Sequence, residues 1–114
     1  MRRKAFVGAL LLALVWLTPG SGAQAEEPRE FKLSIKNGRF IPETLEVPAG
    51  MRFKLLITNL GPGPEEFESY ELKKESVLGE GVTRPLVFAP LKPGSYSFFG
   101  EFHPETAKGR LIAK

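Results

Sequence analysis

Met51-Arg52-Phe53-Lys54-Leu55-Leu56-Ile57-Thr58 alternates along its length and places Met51, Phe53, Leu55 and Ile57 on one side. A two-residue period of this kind marks a strand with one buried face. Upstream, Phe31-Lys32-Leu33-Ser34-Ile35-Lys36 alternates in the same way until Asn37-Gly38 breaks it. Between the two, Phe40-Ile41-Pro42 and Thr44-Leu45-Glu46-Val47 form an extended piece whose prolines suit a sheet edge better than a sheet centre. Pro48-Ala49-Gly50 then turns the chain into the Met51 strand.

Downstream, Asn59-Leu60-Gly61-Pro62-Gly63-Pro64 is loop chemistry. It opens onto Glu65-Glu66-Phe67-Glu68-Ser69-Tyr70, where strand parity puts Glu65 on the same face as Phe67. The pattern over 71–77 fits a short helix or irregular chain equally well. A further strand is expected near Thr83 to Phe88. Leu91-Lys92-Pro93-Gly94-Ser95-Tyr96 has the form of the corner in which a tyrosine hydroxyl bonds back to upstream backbone in Greek-key sandwiches. Arg110-Leu111-Ile112-Ala113 closes the chain as a short apolar strand. About seven short strands, frequent Gly and Pro punctuation and no sustained helical period predict an all-β Greek-key β-sandwich.

Residues 1–25 read as a secretory signal: Arg2, Arg3 and Lys4 precede an apolar run from Ala5 to Leu17, and Ala23-Gln24-Ala25 offers a cleavage site. The run is short for a membrane span, which takes about 20 residues. Cleavage after Ala25 would leave one domain over 26–114, exported to the periplasm. It would also remove three of the 16 basic residues and none of the 13 acidic ones, leaving 13 against 13. A neutral domain gives no electrostatic reason to bind nucleic acid or a membrane surface. With no cysteine in the sequence, an exported domain must hold together without disulfides, on a core to which eight of the nine phenylalanines contribute.

The chemistry-bearing stretch is Gly100-Glu101-Phe102-His103-Pro104-Glu105-Thr106-Ala107-Lys108-Gly109, a polar loop between two strands that holds the one histidine of the chain. A lone loop histidine is ordinarily a solvated side chain. Glu65 is harder to dismiss, because an inward carboxylate is costly unless something compensates it. Met51, about 23 Å from the loop-bearing end of its strand, is not a candidate ligand. A hydrolase reading has no cysteine nucleophile and no defensible Ser-His-acid spacing.

The pattern Phe40-Ile41-Pro42-Glu43-Thr44-Leu45-Glu46-Val47-Pro48-Ala49-Gly50, then Asn59 with Pro64-Glu65-Glu66-Phe67, then Pro93-Gly94-Ser95-Tyr96-Ser97-Phe98-Phe99-Gly100-Glu101-Phe102-His103, resembles the cupredoxins. More narrowly, Pro64-Glu65-Glu66-Phe67-Glu68-Ser69 with Gly100-Glu101-Phe102-His103 and Thr106-Ala107-Lys108-Gly109 resembles the EfeO-type cupredoxin-like domains of bacterial periplasmic iron-uptake systems. The departures carry as much information as the match. Glu65 stands where blue-copper cupredoxins have their first histidine, Gly100 stands where they have the cysteine, and the axial methionine position falls near Lys108; His103 is retained.

Without a thiolate there is no blue copper centre, and an imidazole with carboxylates suits Cu(II) or Fe(III) better than Cu(I). The resemblance therefore implies a copper or iron ion at a non-blue site drawn from His103, Glu65, Glu66 and Glu101. It implies other periplasmic or membrane iron-uptake components as partners, and an accessory part in iron uptake or ferrous-iron oxidation rather than an enzyme acting alone. The other reading is a metal-free sandwich that binds another envelope protein. Gly100, if it points inward, is expected to leave room for water, an ion or a partner's side chain.

Overall fold

The structure is a computed structural model that describes residues 27–114. The expected signal sequence and cleavage site, read over residues 1–25, lie outside the described residues. Nine strands follow in chain order: β1 Arg29–Lys36, β2 Arg39–Ile41, β3 Thr44–Val47, β4 Phe53–Gly61, β5 Glu65–Ser69, β6 Lys74–Leu78, β7 Thr83–Phe88, β8 Gly94–Phe99 and β9 Lys108–Ala113. They form two sheets, ordered β2-β1-β4-β7 and β3-β9-β8-β5-β6. β1 runs parallel to β4 and β3 parallel to β9, while the remaining neighbours are antiparallel. The β-sandwich expected from the alternation is what forms.

The sheets close on a phenylalanine core. Phe40, Phe53, Phe67, Phe88 and Phe98 are all buried. The Phe98 ring lies 4.8 Å from Phe40, edge-on, and 4.9 Å from Phe67, while Phe53 and Phe88 stack at 4.6 Å. Such pairs add roughly 0.5–1.5 kcal/mol each beyond the area they bury, which matters in a domain with no cross-links. Tyr96 makes the expected corner, its hydroxyl donating to the Lys92 carbonyl at 2.7 Å.

In its strands, the structure differs from the sequence reading at three places. Among the described residues there are nine strands rather than about seven, partly because the extended piece around Pro42 is two edge strands, one in each sheet. The ambiguous segment 71–77 is a turn followed by β6: Lys73 takes a positive φ of 55° and donates to the Tyr70 carbonyl, which reverses the chain before the strand starts. Met51 does not sit on the buried face of its strand. β4 begins only at Phe53, where both of its neighbours begin to pair, and Met51 is left exposed.

β6 and β7 are edges of different sheets on the same side of the sandwich. Lys74 Nζ donates to the Val87 carbonyl at 2.8 Å, and Arg84 Nε donates to the Val77 carbonyl at 3.2 Å. Cationic side chains thus occupy edge carbonyls that would otherwise be open to another strand.

On the outer surface of the second sheet, Glu71 accepts from both the backbone N–H and the hydroxyl of Ser97, at 2.8 and 3.0 Å. The backbone bond first, then the hydroxyl, holds its carboxyl below the ordinary value of 4.5. A carboxyl depressed in the folded state stabilises the protein above the unfolded value and stops doing so as pH falls through the folded one. Glu71→Gln is therefore expected to lower the melting temperature at neutral pH, with the gap to wild type closing in acid well below pH 4.5. Thermal melts of both proteins across that range check this; a gap that stays constant with pH would contradict it.

Candidate metal centre

β4 continues past Thr58 into the glycine-proline loop, and Asn59 is the residue that holds this exit in place. Its buried side-chain amide donates to the Gly63 and Leu78 carbonyls at 2.8 and 3.1 Å, while Oδ1 accepts from the Gly61 N–H at 2.8 Å. Glu80 secures the loop from outside, accepting from the Gly63 N–H at 2.8 Å. The chain then enters β5 with its parity fixed: Glu65, Phe67 and Ser69 face inward and all are buried.

His103 arrives from the loop between β8 and β9. That loop closes on itself, since His103 N–H donates to the Gly100 carbonyl while the His103 carbonyl accepts from the Thr106 and Ala107 N–H groups at 3.1 and 2.7 Å. It is also tied to the first hairpin, because the Thr106 hydroxyl donates to the Gly38 carbonyl at 2.6 Å. Asn37 and Gly38 both take positive φ, 51° and 70°, the conformation of a tight two-residue hairpin turn. A Cβ at Gly38 would stand 2.9 Å from His103 Cγ, so the turn packs directly against the imidazole.

Held this way, His103 Nδ1 lies 3.1 Å from Glu65 Oε1 and 3.0 Å from Oε2. The carboxylate is 1% exposed and the imidazole 47%. Oε1 sits in hydrogen-bonding geometry; Oε2, though equally near, does not, and has no hydrogen-bond partner among the described residues. A buried carboxylate oxygen without a donor is unusual enough to require an explanation by an unseen proton, water or ion. With Glu65 ionised, Nδ1 is the nitrogen that carries the bridging proton.

Glu66 faces the other way, as strand parity requires, yet it is only 2% exposed. The Glu101 N–H donates to its Oε1 at 2.8 Å. Glu66, Glu68 and Glu101 bring carboxylate oxygens within 4.8 Å of one another on this outer side. Glu75, opposite Glu68 across the strand pair, has its carboxyl raised, first by a hydrogen bond to Glu66 and then by burial. The Tyr70 phenol is also raised, first by the charge of Glu68.

The four residues selected from sequence therefore fall into two groups. The structure brings His103 and Glu65 together, and it brings Glu66 and Glu101 together with Glu68 on the opposite side of β5. Glu68 and Asn59 were not singled out as site residues, although Glu68 stands two residues from Glu66 and shares its face. Lys108 begins β9 on the exposed surface.

Gly100 does not leave a space. A Cβ there would lie 2.7 Å from the Glu66 carbonyl oxygen and 3.0 Å from Ala107 Cβ, so the backbone of β5 and the Ala107 side chain already fill the direction in which a side chain would point. The blue-copper donor set does not fit this chain: it has no cysteine, and the place where one would stand is closed. A carboxylate–imidazole pair does fit a harder ion such as Cu(II) or Fe(III). The two donors already stand at hydrogen-bond distance, and a cation would give Glu65 Oε2 the partner it lacks.

Comparison with known proteins agrees with this fold. Residues 9–113 match the family described as Cupredoxin-like domain. The uncharacterized protein RP394 of Rickettsia prowazekii (strain Madrid E) is 34% identical over 102 residues, covering 90% of this chain and 82% of its own length. Auracyanin A, a "blue" copper protein from the green thermophilic photosynthetic bacterium Chloroflexus aurantiacus, superposes with a TM-score of 0.64 at 13% identity, covering 77% of this chain and all of that one. The metal binding domain of the Streptococcus pneumoniae D39 Cu(I) exporting P-type ATPase CopA superposes with a TM-score of 0.64 at 16% identity, covering 81% and 92%. These two structural likenesses concern the fold, and the family follows from the sequence match across nearly the whole chain: this protein belongs to the cupredoxin-like domain family.

Proposed function

We propose that this chain is an exported metal-binding protein that holds Cu(II) or iron between Glu65 and His103, and that it serves iron uptake or ferrous-iron oxidation as an accessory to other envelope components. The observation that carries the reading is the buried Glu65 carboxylate, whose Oε2 lacks a hydrogen-bond partner while facing an imidazole nitrogen. The iron-uptake setting and the periplasmic location rest on the EfeO-type resemblance and on the signal-like first 25 residues. When bound, the ion supplies a Lewis acid and a one-electron couple biased by hard donors towards its oxidised state.

Everything else is the work of the chain. Glu65 contributes a carboxylate oxygen from a side chain that is only 1% exposed. His103, half-exposed, presents Nδ1, its one ring proton then standing on Nε2. Because protons compete with a cation for the carboxylate and the imidazole, affinity should weaken as the solution is acidified. Gly38 and Thr106 keep the imidazole turned toward Glu65.

Titration of metal-free protein with Cu(II) and with ferric citrate tests the proposal. Glu65→Gln and His103→Ala are each expected to weaken binding by about 10-fold or more, and Glu66→Gln to leave it near wild type. The Cu(II) form should lack the intense thiolate band of blue sites near roughly 600 nm. Loss of binding only in Glu66→Gln would move the ion to the outer carboxylates, and unchanged affinity in all three variants would reject a metal role for these residues.

A further inference from the structure

The outer surface of the five-stranded sheet carries charges of both signs that do not satisfy each other. Register defines one row across it, with Lys108 beside Phe99, Phe99 beside Glu68 and Glu68 beside Glu75. Neighbouring strands are about 4.8 Å apart, so Lys108 on β9 stands roughly 10 Å from Glu68 on β5, with Phe99 between them. Among the described residues neither Lys108 nor Arg110 is in an ion pair, and neither are Glu66, Glu68, Glu75 and Glu101. Between the two signs runs an aromatic strip in which Tyr70, 73% exposed, sits 5.2 Å from the Phe99 ring. An open groove of about 580 Å³ follows this strip, bounded by Tyr70, Phe99 and Pro104 with Lys108 and Arg110 on its far side.

We propose that this face pairs with a second copy of the chain across a two-fold axis lying along β8. A face that is basic on one side and acidic on the other is self-complementary under such a rotation, which exchanges the β9 side of one copy with the β5 side of the other. Because β9 and β5 flank β8 at equal distance, Lys108 of the second copy comes over Glu68. Arg110, one side-chain position further along β9 and beside Ser97, comes over Tyr70, where a guanidinium can lie on the ring. An axis running across the strands would instead set β9 against β9 and acid against acid, so the charges select between the two arrangements. Sheets packed face to face stand about 10 Å apart, a gap that opposed lysine and glutamate side chains can bridge. Phe99 falls at the centre with Lys108 and Glu68 on either side of it, and the Glu71 carboxylate is held by Ser97 of the same strand. This pairing is independent of the metal reading, since Glu65 faces inward from β5 and His103 meets it from the β8–β9 loop on that side.

Sedimentation velocity of the purified protein over a wide concentration range, at low and high salt, tests the pairing. The wild type is expected to dimerise, more weakly at high salt. The double variants Lys108→Glu/Arg110→Glu and Glu68→Lys/Glu75→Lys should each raise the dimer dissociation constant roughly 10-fold or more. All four positions lie on the sheet's outer face, and circular dichroism verifies that each variant remains folded. An equimolar mixture of the two double variants should recover dimer, because each supplies the charges the other now needs. A wild type that stays monomeric up to about 1 mM, an affinity too weak for a specific dimer, overturns the proposal. So does a dimer that both reversals leave intact, or a mixture that does not reassociate.

Discussion

Replacing Gly100 with cysteine is expected to cost the fold about 3 kcal/mol and to yield no blue copper centre. The substitution restores in sequence the residue that blue cupredoxins carry before their histidine, so a reader of the sequence alone would expect a gain of function. The backbone argues otherwise. The new Cβ would lie 2.7 Å from the Glu66 carbonyl oxygen and 3.0 Å from Ala107 Cβ. Neither obstacle can rotate aside: one is a main-chain atom of β5, which is paired with β6 along its whole length, and the other is bonded directly to the main chain. Overpacking of this kind costs about 1–3 kcal/mol and occasionally more, and here it also displaces the hydrogen bond from Gly100 N–H to the Ala107 carbonyl. For a domain of this size that corresponds to a fall of about 15 °C in melting temperature. Gly79→Ala is the matched control, because its Cβ would meet only Val82 Cγ2 at an ordinary 3.7 Å. Melting curves of the three proteins and the visible spectrum of the Cu(II)-loaded cysteine variant decide the matter; a variant as stable as wild type, or one that turns blue, would refute this account of Gly100.

That prediction marks the boundary of what the sequence discloses. Elements whose signal is local were legible: the alternation in β1 and β4, the Asn37-Gly38 turn, the tyrosine corner and the parity that points Glu65 inward beside Phe67. All of these follow from one stretch of chain and the period of a strand. The meeting of Glu65 with His103, 38 residues apart, came into view only through family resemblance, because nothing local reports which loops share a pole of a sandwich. Other features depended on neighbours the sequence does not announce. β6 was ambiguous because its burial is set by pairing with β5. Met51 was misplaced because the register of β1 and β7, rather than alternation, decides where β4 starts. The closed state of Gly100 depends on how near β5 approaches, which no residue type encodes. Glu66 and Glu101 stand apart from the inner pair: strand parity turns Glu66 to the opposite face of β5, and the Glu101 N–H donates to it there.

Asn59 is the residue whose loss should be felt most widely, and Asn59→Ala is expected to destabilise the protein by about 3 kcal/mol. Truncation removes three hydrogen bonds and leaves the Leu78 and Gly63 carbonyls and the Gly61 N–H to find other partners. Each such bond contributes about 1 kcal/mol net, and a buried group left unsatisfied costs more than that. The consequence extends beyond stability. Asn59 joins the exit of β4 to the end of β6 at Leu78, and the loop it fixes delivers Glu65 to the inner face. A loosened loop lets the Glu65 carboxylate wander from the imidazole, so on the metal reading Cu(II) affinity should fall about 10-fold although Asn59 makes no hydrogen bond to either member of the pair. Asn59→Asp separates hydrogen bonding from packing. It has nearly the same shape and keeps the acceptor for Gly61, but when ionised it presents oxygen to two carbonyls in place of two N–H donors. Burial favours its neutral form and raises its folded-state value, so the variant should be least stable at neutral pH and regain stability as acid protonates the new carboxyl. Melts of the alanine and aspartate variants between neutral and acidic pH distinguish the causes. Parallel curves for the two would assign the loss to packing alone, whereas a recovery confined to the aspartate variant would identify the amide donors as the element that sets the loop.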